Sequence, residues 1–169
     1  MRISNNFKRL FVLALSLIMV FSLVACDIGT STNDKGEDSG MKAAQDFYDK
    51  VSESQDLLDE LADDIYRNWY DCIYKDKFSE NINIAIASAL ADNSENVDKI
   101  EALDGEIADL FKAAKETECG DKVKAVMSAY SDYYELVINV SGSFNSYSAD
   151  KESLKKDLAS ALKELSFEL

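Results

Sequence analysis

Residues 43–72 read AAQDFYDKVSESQDLLDELADDIYRNWYDC. Within them Ala44, Val51, Leu58, Ile65 and Cys72 recur every seven residues, with Tyr48, Leu61 and Trp69 close to the same seam. A seven-residue apolar repeat marks one stripe of a bundle helix, whereas a half-buried strand would alternate at every second position. The spacing predicts a helix of about 37 residues starting at Met41. The chain has no proline, so nothing of that kind interrupts long helices.

Downstream the same spacing continues. Ser79 is a suitable N-cap for a second helix, in which Ile82, Ile86, Leu90, Val97, Ile100, Ile107 and Leu110 or Phe111 are separated by three, four or their sums. That helix is expected to reach Glu118, with Gly120 as its stop and Asp121 as the next N-cap. A third segment carries Val123, Met127, Tyr130, Tyr134, Val137, Phe144, Leu154, Leu158, Leu162 and Leu165, diluted by Ser141, Ser148 and Lys151. Similar lengths and short connections predict an all-α fold over residues 41–169, an antiparallel bundle of three long helices. The alternative is four or five helices. Asp92 with Glu95 forms a capping-box pattern inside ADNSEN, and Asp150 offers a second restart.

The chain begins differently. Arg2, Lys8 and Arg9 precede an apolar run over residues 10–25, and the first 25 residues contain no acid. A basic start followed by sixteen apolar residues fits a secretory signal peptide and is short for a spanning helix, which needs about 20. At its end Leu23, Val24, Ala25 and Cys26 stand in a row: a branched aliphatic, a tolerant position, a small residue and a cysteine. This resembles the lipobox of bacterial lipoproteins. The resemblance implies cleavage before Cys26, recognition through Leu23, Val24 and Ala25, and a diacylglyceryl group on the Cys26 thiol. Two acyl chains anchor stably where one does so marginally, at about 0.8 kcal/mol per buried methylene. The expected location is the extracytoplasmic face of a bacterial membrane, with membrane lipid as the first partner. Asp27 resembles an inner-membrane retention residue of double-membrane bacteria, and has no such meaning in a single-membrane envelope.

Three regions follow from this reading: a signal peptide over residues 1–25, a lipidated cysteine and flexible tether over 26–40, and the bundle over 41–169. The tether, DIGTSTNDKGEDSG after Cys26, is polar and small, with a reach of about 20 Å. Removing the signal leaves 15 basic against 32 acidic residues, a net charge of −17, compared with −14 for the whole chain.

With Cys26 acylated, Cys72 and Cys119 form an even pair, which in an exported protein points to a disulfide. In the three-helix bundle they lie at opposite poles, about 50 Å apart at 1.5 Å per residue. A bridge needs Cα atoms within about 7 Å, so that bundle predicts two free thiols, with Cys72 in the core.

Much chemistry is excluded. The chain has no histidine, which removes Ser-His and Cys-His nucleophiles, Glu-x-x-His di-iron sites and His-containing zinc sites. Too few thiols remain for an all-cysteine zinc site, and no GxGxxG or GK[ST] phosphate loop occurs. Residues 33–38 do not hold calcium ligands in EF-hand register. Nucleic acid is excluded by the sign of the charge. No carboxylate pair stands out as an acid and base. The expectation is a protein that acts by binding or scaffolding, with no catalytic residue, cofactor or metal.

Two features are candidates for binding. Asp46, Asp49, Glu53, Asp56, Glu60 and Asp63 recur at three and four residues along one stripe of the first helix, a face for a cationic partner such as a basic peptide or polyamine, or a solvated face that aids solubility. Tyr66, Tyr70 and Tyr74 are four residues apart around Trp69, and residues 140–147, VSGSFNSY, fall level with Trp69 if the third segment runs parallel to the first. Small Ser141, Gly142 and Ser143 would leave room for rings, so Tyr66, Trp69, Tyr70, Phe144 and Tyr147 are read as an aromatic core or as a groove for a small aromatic or sugar ligand. An envelope-protein partner, including exclusion of a phage protein or toxin, is the remaining expectation.

Overall fold

The structure is a computed structural model that describes residues 36–169. The readings that fall on the signal peptide, Leu23, Val24, Ala25, Cys26 and the tether to residue 35 lie outside the described residues. Within them the chain is all-helical: α1 Gly36–Tyr74, α2 Ile82–Asp92, α3 Ser94–Ala114, α4 Gly120–Ile138 and α5 Phe144–Leu165. A short turn, Phe78–Glu80, connects α1 to α2.

The seam read in residues 43–72 is the core stripe of α1. Ala44, Phe47, Val51, Leu58, Leu61 and Ile65 are fully buried, and Trp69 and Cys72 nearly so. Its 39 residues extend about 58 Å. Against this helix α2 and α3 descend in one line. Asn68 of α1 bonds to Ala85 of α2, Asp64 to Asn93 at the junction, Glu60 to Asn96 and Lys50 to Glu106 in α3. Next, α4 rises beside α1, with Tyr130 at Ser54 and Tyr133 at Asp59, and α5 descends, with Lys151 at Asp63 and Lys155 at Asp59. Five helices thus make four antiparallel rods.

The count of three long helices is corrected in two places, and the alternative of four or five fits. The second predicted helix breaks at Asn93, next to Asp92. Asn93 uses its side-chain amide to donate to Asp64 and to the Ala89 carbonyl, both at 2.9 Å, so it ties the break to α1 instead of capping α3. The chain does not reverse there, which is why the apolar register continues across the break. The third predicted helix breaks over residues 139–143, before Asp150, which lies inside α5. Gly142, at φ +85°, turns the chain in a conformation that L side chains rarely adopt. Ser143 and Ser146 then form a reciprocal capping box.

Two caps also differ. Asn81, not Ser79, caps α2, accepting from Asn83 N at 3.0 Å. Gly120 does not stop a helix but begins α4, with Cys119 preceding it and Asp121 in its first turn. A Cβ on Gly120 would fall 2.2 Å from the Lys115 carbonyl oxygen, so the tight α3–α4 connection requires glycine. Cys72 and Cys119 are both buried free thiols. They sit toward opposite ends of α1, since Thr117 lies against Gly40.

Candidate functional site

The end of α1 carries Tyr66, Tyr70 and Tyr74 one above another, because residues four apart share a helix face. Trp69 falls a step round the helix and enters the core. Phe144 reaches the same level because α4 rises parallel to α1 and the Gly142 turn starts α5 there. Its ring centroid lies 5.1 Å from Tyr66, 6.0 Å from Trp69, 6.3 Å from Tyr70 and 6.2 Å from Tyr74. Tyr147, one turn later, packs 5.6 Å from Trp69 and donates to the Ala62 carbonyl at 3.3 Å. Burial holds the Tyr147 hydroxyl well above its ordinary pKa.

The five groove residues therefore come together in three roles. Trp69 and Tyr147 are buried, Tyr66 and Tyr70 line an open cleft of 340 Å³, and half-buried Phe144 packs among the rings without lining the cleft. Asp63, Arg67 and Asp71 of α1, Lys75 just beyond it and Lys151 of α5 complete the lining. Small residues 141–143 make the turn and the cap; they do not form the recess itself.

Charge in the cleft is internally paired. Lys151 is buried, which disfavours its ammonium, but hydrogen bonds to Asp63 and Glu152 more than offset this and its pKa is raised. Arg67 meets Asp64 at 2.7 Å. Asp71, 6% exposed, is approached by Lys75 at 2.7 Å on Oδ1 and by Lys77 at 2.6 Å on Oδ2, and these two ammonium groups hold its carboxyl below the ordinary value. Both carboxylate oxygens are thus met by an ammonium, one from Lys75 a turn along the same helix and one from Lys77 just beyond its end. Lys151 and Lys75 also stand over tyrosine rings, 5.1 Å from the Tyr66 centroid and 5.5 Å from that of Tyr70.

The acidic stripe is distributed differently. Asp46 pairs with Lys42, Glu53 with Lys50 and Asp63 with Lys151, while Asp49 accepts from Gln45 and Glu60 from Asn96. Asp56 is exposed among them. Most of the stripe is thus already engaged by neighbours in the same bundle.

Sequence reasoning missed Asp71, Lys75, Lys77 and Lys151 as a group. Lys151 carried a signal: a lysine on an apolar seam needs an acidic partner within reach of its ammonium, here Asp63. Asp71 and Lys75 carried one as well, the i,i+4 spacing of an acid and a base on one helix, whereas Lys77 lies beyond the helix end, in a connection with unusual backbone. Asp76, Phe78, Ser79 and Glu80 all have φ between +52° and +57°, a left-handed stretch without glycine. Among the described residues no group of three or more His, Cys, Asp or Glu side chains is placed to hold a metal ion, and no described helix is long and apolar enough to cross a membrane. No protein-family model, curated protein or solved structure matches this chain.

Proposed function

We propose that the protein is a bacterial lipoprotein, anchored through acylated Cys26 to the extracytoplasmic face of a membrane, whose helical bundle acts by binding at the cell envelope. The observation that carries the anchor is the order of features in residues 1–26: the basic Arg2, Lys8 and Arg9, an apolar run of lipoprotein-signal length, then Leu23-Val24-Ala25-Cys26. The binding role, as against catalysis, is supported by the absence of histidine from the chain and by a cleft that offers ring faces and paired charges. Ligand capture is the form of binding that the partly exposed Tyr66 and Tyr70 favour, ahead of pure scaffolding.

Fractionation tests the anchor. The wild-type chain should sediment with membranes at the mass of residues 26–169 plus lipid, and Cys26→Ala should remain an unprocessed precursor. A Cys26→Ala chain found membrane-bound at mature size would overturn the lipoprotein reading.

A further inference from the structure

Helix α2 is apolar on every side. Residues 82–91, INIAIASALA, contain no charged side chain, in a chain that is 30% charged. Such a helix belongs in a core. Yet among the described residues α2 comes close only to α1 and to its own chain neighbours, the turn before it and α3 after it, whereas α3 also meets α4. Ala85 and Ala89 are buried on the side that faces α1, and the opposite stripe is open: Ile84 is 50% exposed, and Ala87 and Ala91 are exposed as well. Steps of three and four carry that stripe across the Asn93 break to Glu95 and Asp98, because α2 and α3 lie in one line. Both carboxylates are exposed. The ion pairs of α3 are Lys50–Glu106 and Lys112–Asp109, lower down, and Glu95 and Asp98 hold none among the described residues, although Lys99 stands four residues from Glu95. The carboxylates of the α1 stripe, by contrast, are mostly engaged. Further along the outer stripe Gly105 is exposed, and a Cβ there would meet nothing within 4 Å. The bundle's own packing therefore does not call for a glycine in mid-helix, where it weakens the helix.

We propose that the outer side of α2 and α3 docks a basic amphipathic helix of a partner protein, with apolar residues on Ile84, Ala87 and Ala91 and lysines or arginines at Glu95 and Asp98. The docked helix supplies α2 with the second neighbour that it lacks. Charge decides between occupants. A second copy would bring the same unpaired acids and a net charge of −14 to the contact, whereas a basic helix is drawn in by both. The two halves of the stripe also fix direction: the partner's apolar half lies level with α2 and its basic half level with α3, about 16 Å apart from Ala87 to Asp98. Gly105 leaves open space where the partner's backbone continues past the acids. The proposal rests on the binding reading above and moves the cationic partner from the α1 stripe to the α2–α3 rod.

Fluorescence anisotropy of labelled peptides, titrated with the full chain in neutral detergent, tests this independently of the anchor, and circular dichroism checks each variant's fold. The probe is a helical peptide of Leu, Ala and Lys, with leucines in one half of its stripe and lysines in the other. A second peptide carries Glu for Lys, and a third has the composition of the first with leucines and lysines scattered round the helix. The first should bind at least about tenfold more tightly than either of the others. Ala87→Lys, and separately Glu95→Gln with Asp98→Asn, should each weaken that binding by about tenfold or more, and the double variant should also lose most of its salt dependence. Gly105→Leu should weaken it although leucine favours the helix, which a merely structural glycine would not do. Asp49→Asn with Asp56→Asn removes the same charge from α1, and Tyr70→Ala alters the cleft; each should change binding by less than about twofold. The proposal fails if the first peptide does not bind or binds no better than the scattered one, a result that leaves ligand capture at the tyrosine cleft standing. It also fails if the α1 pair or Tyr70→Ala weakens binding more than the α2–α3 variants do. A dimer in sedimentation that Ala87→Lys dissociates would assign the face to a second copy and overturn it as well.

Discussion

The middle of α1 and its C-terminal end use the same kinds of residue for different purposes. Between Val51 and Ile65 the inward side chains are fully covered, and even the polar ones are met from distant helices. Ser54 lies 3.3 Å from the Tyr130 hydroxyl, and Tyr133 donates to Asp59, which also pairs with Lys155. At the end of α1, Tyr70, Ile73 and Tyr74 are 38%, 41% and 59% exposed, and Asp71 is met only by lysines within six residues of it. The first region is held by long-range packing. The second is held by contacts within one short stretch of chain.

Three measurements would break or sharpen that contrast. Leu58→Ala should lower stability by about 3 kcal/mol, seen as a lower denaturant midpoint at unchanged slope, because it opens a cavity in a covered core. Tyr74→Ala should stay within about 0.5 kcal/mol. Similar losses at the two positions would erase the distinction. A smaller effect belongs to Asp71→Asn and has a pH signature. The folded Asp71 carboxyl is lowered from 3.8, so its contribution is present above that pH and is lost as pH falls through the lower folded value. Wild type should therefore destabilise more steeply than Asp71→Asn on acidification below about pH 4; parallel acid limbs would mean that the lysines do not hold the loop. The smallest effect expected is a gain. Ser79→Gly relieves one left-handed residue and should stabilise by about 0.5–1 kcal/mol in a thermal or denaturant melt, and a loss there would show the turn to be unstrained.

The same contrast explains what could be read in advance. The core face of α1 was legible because Ala44, Val51, Leu58, Ile65 and Cys72 repeat at a period that only a helix buries. The meeting of Trp69 with residues 140–147 was legible as well, since it follows from helix lengths and direction. The breaks were harder. Asp92 pointed to the first within one residue, but Asn93 acts through contacts to Asp64 and Ala89 that no local pattern encodes. Asp150 carried a cap-like signal, yet Gly142 and the Ser143–Ser146 pair, which lack an acidic N3 residue, made the turn. In the Asp71 cluster Lys75 follows by the four residues that helical pairing requires, but Lys77 returns from beyond the end of α1, where no helical spacing applies.

The uninterrupted length of α1 has a consequence of scale. From Gly36 to Tyr70 the helix is continuous, rising about 51 Å with no break between them. Reach and chemistry are therefore written in separate parts of the chain: the number of heptads sets how far the tyrosines stand from the first turn of α1, and the last three turns set what they can hold. A change in one leaves the other intact, and each heptad gained or lost moves the tyrosines by about 10 Å.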